Sequence, residues 1–63
     1  MEIIAGRNYR TRNGKTAAVR SVSGTKVYGT VEGEEVQWNK QGYCIQKGKK
    51  YQEEDYDLIR EIS

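Results

Sequence analysis

Seven glycines, at positions 6, 14, 24, 29, 33, 42 and 48, stand four to ten residues apart and divide this 63-residue chain into short runs. The runs are rich in Val, Ile, Thr and Tyr, and no proline interrupts them, which is the punctuation of a β meander. Only 53–62 keeps a helical rhythm, with Glu54, Leu58 and Ile62 at i, i+4 spacing. The single tryptophan, Trp38, is the side chain large enough to centre so small a core. It lies in Val36–Ile45, which reads as two short strands joined at Asn39–Gly42. Alternation puts Val36 and Trp38 on one face; Tyr43 and Ile45 are expected to join them across the turn, with Cys44 facing away.

Asn13-Gly14 marks the first hairpin, between Arg7–Arg12 and Lys15–Val22. A two-residue turn would set Tyr9 opposite Ala18 and put Val19 on the face of Arg10 and Arg12. A three-residue turn, with Gly14 in the left-handed position, sets Tyr9 opposite Ala17 and gathers Tyr9, Thr11, Ala17 and Val19 on one face. A one-residue slip turns every side chain over, so the apolar pattern selects the three-residue turn. Beyond it, Val27, Gly29 and Val31 alternate inward and Tyr28 and Thr30 outward. Gly29 within a strand signals the close approach of a large neighbour, for which Trp38 is the candidate. The polar stretch Tyr51–Asp57 reads as a loop or one helical turn, and Leu58–Ile62 as a closing strand with Leu58 and Ile62 in the core.

These segments predict one all-β domain over residues 1–63: a small five-stranded SH3-like barrel, with an OB-like barrel as the alternative. Closure matters because exposed edges in so small a sheet invite aggregation. An edge left open would also allow a symmetric homodimer.

The stretch Tyr9-Arg10-Thr11-Arg12-Asn13-Gly14-Lys15-Thr16-Ala17-Ala18-Val19 resembles the opening of short, mostly uncharacterised phage and prophage proteins. These begin with a Tyr/Val-Arg-Thr-Arg-Asp-Gly hairpin and an Ala-x-Val strand. They continue to an aromatic–x–x–x–Gly turn, here Trp38 to Gly42, and end on Tyr-Asp-Leu, here Tyr56-Asp57-Leu58. The resemblance implies a phage or prophage origin and an SH3-like fold, and it implies no activity.

One cysteine cannot form an internal disulfide and there is no histidine, so Cys44 is expected to be a reduced, unreactive thiol in a cytoplasmic protein. No apolar run approaches the length of a membrane span. Catalysis is not expected: without histidine, no nucleophile has the usual base. Glu53, Glu54, Asp55 and Asp57 form a solvated acidic loop, which lacks the central glycine and alternating spacing of a calcium loop. Lys47-Gly48-Lys49-Lys50 is a basic turn and no phosphate cradle. No metal or cofactor is expected.

Charge is distributed unevenly. Residues 1–31 hold six basic side chains against Glu2 alone, and residues 32–63 hold five against eight acids. Arg10, Arg12, Lys15 and Arg20, with outward Tyr28 beside them, are therefore the expected binding surface. Exposed tyrosines next to arginines suit a protein interface, and five tyrosines exceed what this domain can bury. The expectation is a non-catalytic binding module, an accessory protein that binds and regulates or inhibits a host protein. Nucleic acid is the alternative ligand, with arginines and lysines on phosphates and Tyr28 stacked on a base. If Trp38 is the core anchor, Trp38→Ala removes about 3–5 kcal/mol, most of what such a domain possesses. Near-native melting of that variant, followed by circular dichroism, would show the anchor to be elsewhere.

Overall fold

The computed structural model describes residues 1–62. Among the described residues six strands form one antiparallel sheet: β1 (Asn8–Thr11), β2 (Thr16–Ser23), β3 (Lys26–Val31), β4 (Glu34–Asn39), β5 (Cys44–Gln46) and β6 (Leu58–Glu61). A 3-10 turn at Glu53–Tyr56 precedes β6. The order across the sheet is β5-β4-β3-β2-β1-β6, so the last strand returns to pair with the first. The all-β expectation holds, with six strands in place of the five of the expected barrel; the segments read from the sequence are themselves six once the two joined at Asn39–Gly42 are counted separately. The sheet curls into a half-barrel. Leu58 N–H donates to the Gly42 carbonyl at 2.8 Å and ties the turn before β5 to the start of β6.

The β1–β2 hairpin has the three-residue turn that its apolar pattern selects, with Tyr9 opposite Ala17 and Arg10 opposite Thr16. Thr11 N–H donates to the Lys15 carbonyl at 2.8 Å and Gly14 N–H to the Thr11 carbonyl at 2.9 Å. Gly14 has φ +85°, which glycine adopts without a Cβ clash. The β4–β5 connection repeats this device. Asn39 N–H donates to the Tyr43 carbonyl at 2.9 Å, Gly42 N–H to the Asn39 carbonyl at 3.0 Å, and Gly42 has φ +95°.

That second three-residue turn overturns one expectation. It sets Trp38 opposite Cys44, so Cys44 points into the core and Tyr43 and Ile45 point out, 57% and 45% exposed. Ile45 falls in the bulge between the pairs Gln37–Gln46 and Trp38–Cys44. Turn parity decides the faces here, against the hydrophobicity of the side chains.

The core gathers Tyr9, Val27, Val31, Val36 and Trp38 from the inner face of the sheet and Tyr56 from the 3-10 turn, none more than 1% exposed. Each such side chain contributes roughly 1.5–3 kcal/mol by leaving water. Tyr56 is fully buried, and Tyr51 is half-buried against the core, so the domain buries more tyrosine than its size suggests. Leu58 is buried as expected, whereas Ile62 is only partly so because it lies beyond the end of β6. The Tyr9 hydroxyl receives Ile4 N–H at 2.7 Å and donates to the Glu2 carbonyl at 3.2 Å. These bonds hold the N-terminal segment so that Ile3 is buried.

Gly29 is buried, but its close neighbour is not Trp38. A Cβ at Gly29 would stand 2.2 Å from the Ala18 carbonyl oxygen and 3.0 Å from Val19 Cα, where β2 bulges past β3. Because the obstacle is backbone, Gly29→Ala should destabilise at the upper end of about 1–3 kcal/mol. The midpoint of urea unfolding reads this directly; an unchanged midpoint would mean that the β2 bulge yields freely.

Candidate functional site

The outer face of β1–β4 follows from the register. Asn8, Ala18, Thr30 and Glu35 form one row across the sheet, and Ser21, Tyr28 and Gln37 form the next. Arg10 lies toward the other end of β1, flanked by Thr16 on β2 and Arg60 on β6. The floor between Arg10 and Tyr28 is made of the small side chains Ala18 and Thr30. Arg20, in the β2 bulge, reaches over β3 to pair with Glu35 on β4. Gln37 Nε2 donates to Gln46 Oε1 at 3.1 Å and closes the row beside Tyr28. Tyr28 itself is half-buried.

Of the five expected binding residues, the sheet therefore brings Arg10, Arg20 and Tyr28 to one surface. Arg12 and Lys15 lie at its end, in the first turn. Arg12 N–H donates to the Asp57 carbonyl at 2.8 Å, and its guanidinium stands 3.6 Å from the Asp57 carboxylate. Lys15 Nζ sits 6.0 Å from the centroid of the Tyr51 ring, a cation–π arrangement. Arg10 Nη1 donates to the Gly14 carbonyl at 3.1 Å and to Thr16 Oγ1 at 3.4 Å.

A second constellation was not legible from the sequence. The Glu34 carboxylate, at the start of β4, accepts the Tyr56 hydroxyl at 2.6 Å, Lys50 N–H at 3.2 Å and Lys49 N–H. These bonds hold it below the usual carboxylate range, the Tyr56 hydroxyl first and Lys49 N–H next. Gly48 makes room, since a Cβ there would stand 2.5 Å from the Glu34 carboxyl carbon. Tyr51 donates its hydroxyl to Glu32, and its ring meets that of Tyr56 edge-on at 5.7 Å and 60°. The bond to Glu32, then burial, pushes the Tyr51 hydroxyl up to about 12. Burial, then the bond to Glu34, raises Tyr56. Two carboxylates, two phenols and two backbone amides form a clasp that positions the 47–56 segment.

Cys44 is buried, and desolvation, with Glu53 and Asp57 adding repulsion, pushes its thiol up to about 11. At neutral pH it is a protonated thiol, with little nucleophilic character. Among the described residues no group of three or more Cys, Asp or Glu side chains is placed to hold a metal ion. No helix there is long and apolar enough to cross a membrane. An open cleft of about 540 Å³ lies between Met1–Ile3, Val22 and Lys40, and one of about 300 Å³ between Glu34–Glu35 and Lys47–Lys49. Neither includes a residue of the outer face named above except Glu35.

Comparison with family models, with curated proteins and with solved structures finds no match.

The clasp makes stability depend on acid. Glu34 has a lower pKa folded than unfolded, so its contribution is complete above about 4.5 and is lost as pH falls through the folded value. Glu34→Gln should narrow the difference in urea midpoint between pH 7 and pH 3. An equal difference in parent and variant would mean that ionisation of Glu34 does not hold the 47–50 turn.

Proposed function

We propose that the domain is a non-catalytic binding module whose ligand is a protein, held on the outer face of β1–β3 with Tyr28 as the aromatic anchor. One observation carries this reading. Arg7, Arg12 and Arg20 are each matched by a carboxylate, from Glu61, Asp57 and Glu35, so the basic first half does not present a continuous cationic track. A phosphate backbone takes its affinity from such a track. A protein surface instead suits an aromatic side chain flanked by arginines, the residue types enriched where proteins meet. The likeness of the first hairpin to phage and prophage proteins suits an accessory protein that binds and regulates or inhibits a host protein.

The test is capture of a partner from bacterial lysate with and without nuclease, followed by kinetics on the purified pair. Capture should survive nuclease. Tyr28→Ala should raise the off-rate about tenfold or more and leave the on-rate within a few-fold, as loss of an anchor does. Added salt should mainly slow association. Capture abolished by nuclease, with a log–log salt slope near −2.7 for three phosphate contacts at about −0.9 each, would establish duplex nucleic acid as the ligand instead.

A further inference from the structure

Five arginines are present, and three of them have carboxylate partners. The two that do not are placed opposite one another. Arg10 on β1 and Arg60 on β6 are Cα partners in the antiparallel pair, so both side chains leave the same, outer face of the sheet. Like charges directly opposite on one face destabilise a sheet. Among the described residues neither has a carboxylate within ion-pair distance.

The acids that could have relieved this pair are already engaged. Glu61, next to Arg60 in sequence, is taken by Arg7 at 2.7 Å. Asp57 accepts Cys44 N–H at 2.8 Å through one oxygen and faces Arg12 with the other. Glu35 is held by Arg20. Arg10 is oriented by its two bonds from Nη1 to the Gly14 carbonyl and Thr16 Oγ1. Its other guanidinium N–H groups have no partner among the described residues. The register thus sets one oriented guanidinium and one without an ion-pair partner side by side on the outer face, while the other three arginines are already neutralised.

We propose that Arg10 and Arg60 together seat a carboxylate side chain from an acidic segment of the bound protein, a proposal that rests on the protein-binding reading given above. Two guanidinium groups can clamp one carboxylate through paired N–H bonds. The bound anion also removes the repulsion between them. Because Arg7, Arg12 and Arg20 are already matched by carboxylates, the seat takes one anionic group, which fits an acidic peptide better than a run of phosphates.

Acetylated, amidated hexaglutamate is the probe, titrated at low ionic strength into the ¹⁵N-labelled full chain. The Nε–H resonances of Arg10 and Arg60 and the Thr16 amide should shift together and saturate. Arg60→Gln should weaken this binding about tenfold, as loss of one fork from a bidentate pair does. Without peptide, Arg60→Gln should melt at the parent temperature or above it, because the like-charge contact is gone. Arg10→Gln should give the same loss of binding and guards against a folding defect in either variant. Shifts that fail to saturate, or that persist in both folded variants, would overturn the seat. So would tighter binding of a twenty-residue oligothymidine at the same two arginines, with a salt slope steeper than the −1.4 or so of two single-strand contacts. The peptide titration needs no natural partner, so an empty pull-down would refute the protein reading while leaving this result to stand or fall alone.

Discussion

The hydrogen bond from the Trp38 indole N–H to the Tyr56 carbonyl, 2.8 Å long, is the constraint on which the rest of the domain depends. A buried indole donor must find an acceptor. The 3-10 turn supplies one from outside the sheet. Tyr56 then reaches back along β4, and its hydroxyl donates to Glu34 while its carbonyl holds Trp38. One residue is thus bonded to β4 near both of its ends. Its neighbour Asp57 extends the same tie, accepting Cys44 N–H with its side chain and Arg12 N–H with its carbonyl. Two consecutive residues therefore join β4, β5 and the first turn, and they deliver the chain into β6.

The uneven charge of the sequence is partly cancelled in this topology. Each of the three ion pairs joins an arginine of the first half to an acid of the second: Arg7 to Glu61, Arg12 to Asp57, Arg20 to Glu35. Two of them follow from β6 lying beside β1, and the third spans β3. The two exposed pairs, Arg7–Glu61 and Arg20–Glu35, add little to stability. Their effect is on the field outside the molecule, which they reduce where a linear reading of the charges would expect it to be strongest.

What could be read in advance was local. Asn13-Gly14, with apolar residues at 9, 17 and 19, fixed the first register because turn and pattern agreed. At the second hairpin they disagreed. Tyr43 and Ile45 look like core residues, yet Gly42 in the third loop position puts Cys44 inside, and applying the first hairpin's turn there would have found it. Gly29 was recognisable as a close approach, but its neighbour was set by a bulge in β2 that no composition signals. Tyr56 and Glu34 are separated by 22 residues and Arg10 and Arg60 by more, so neither the clasp nor the arginine pair is visible without the strand order. The outer face was legible in part. Arg10, Arg20 and Tyr28 follow from alternation, while Arg12 and Lys15 lie in a turn where alternation stops.

The return of β6 to β1 also orders events in time. Every other neighbour in the sheet is joined by a hairpin, which closes quickly, whereas β1 and β6 are brought together only across the whole intervening chain. A molecule on its way to the native state can hold β1 to β5 as a meander while β6 is still undocked. In that interval the indole of Trp38 lacks its acceptor and β1 has an unpaired edge. Docking of the four-residue β6 covers the edge of β1, and the edge that remains on that side of the sheet is that of β6 itself.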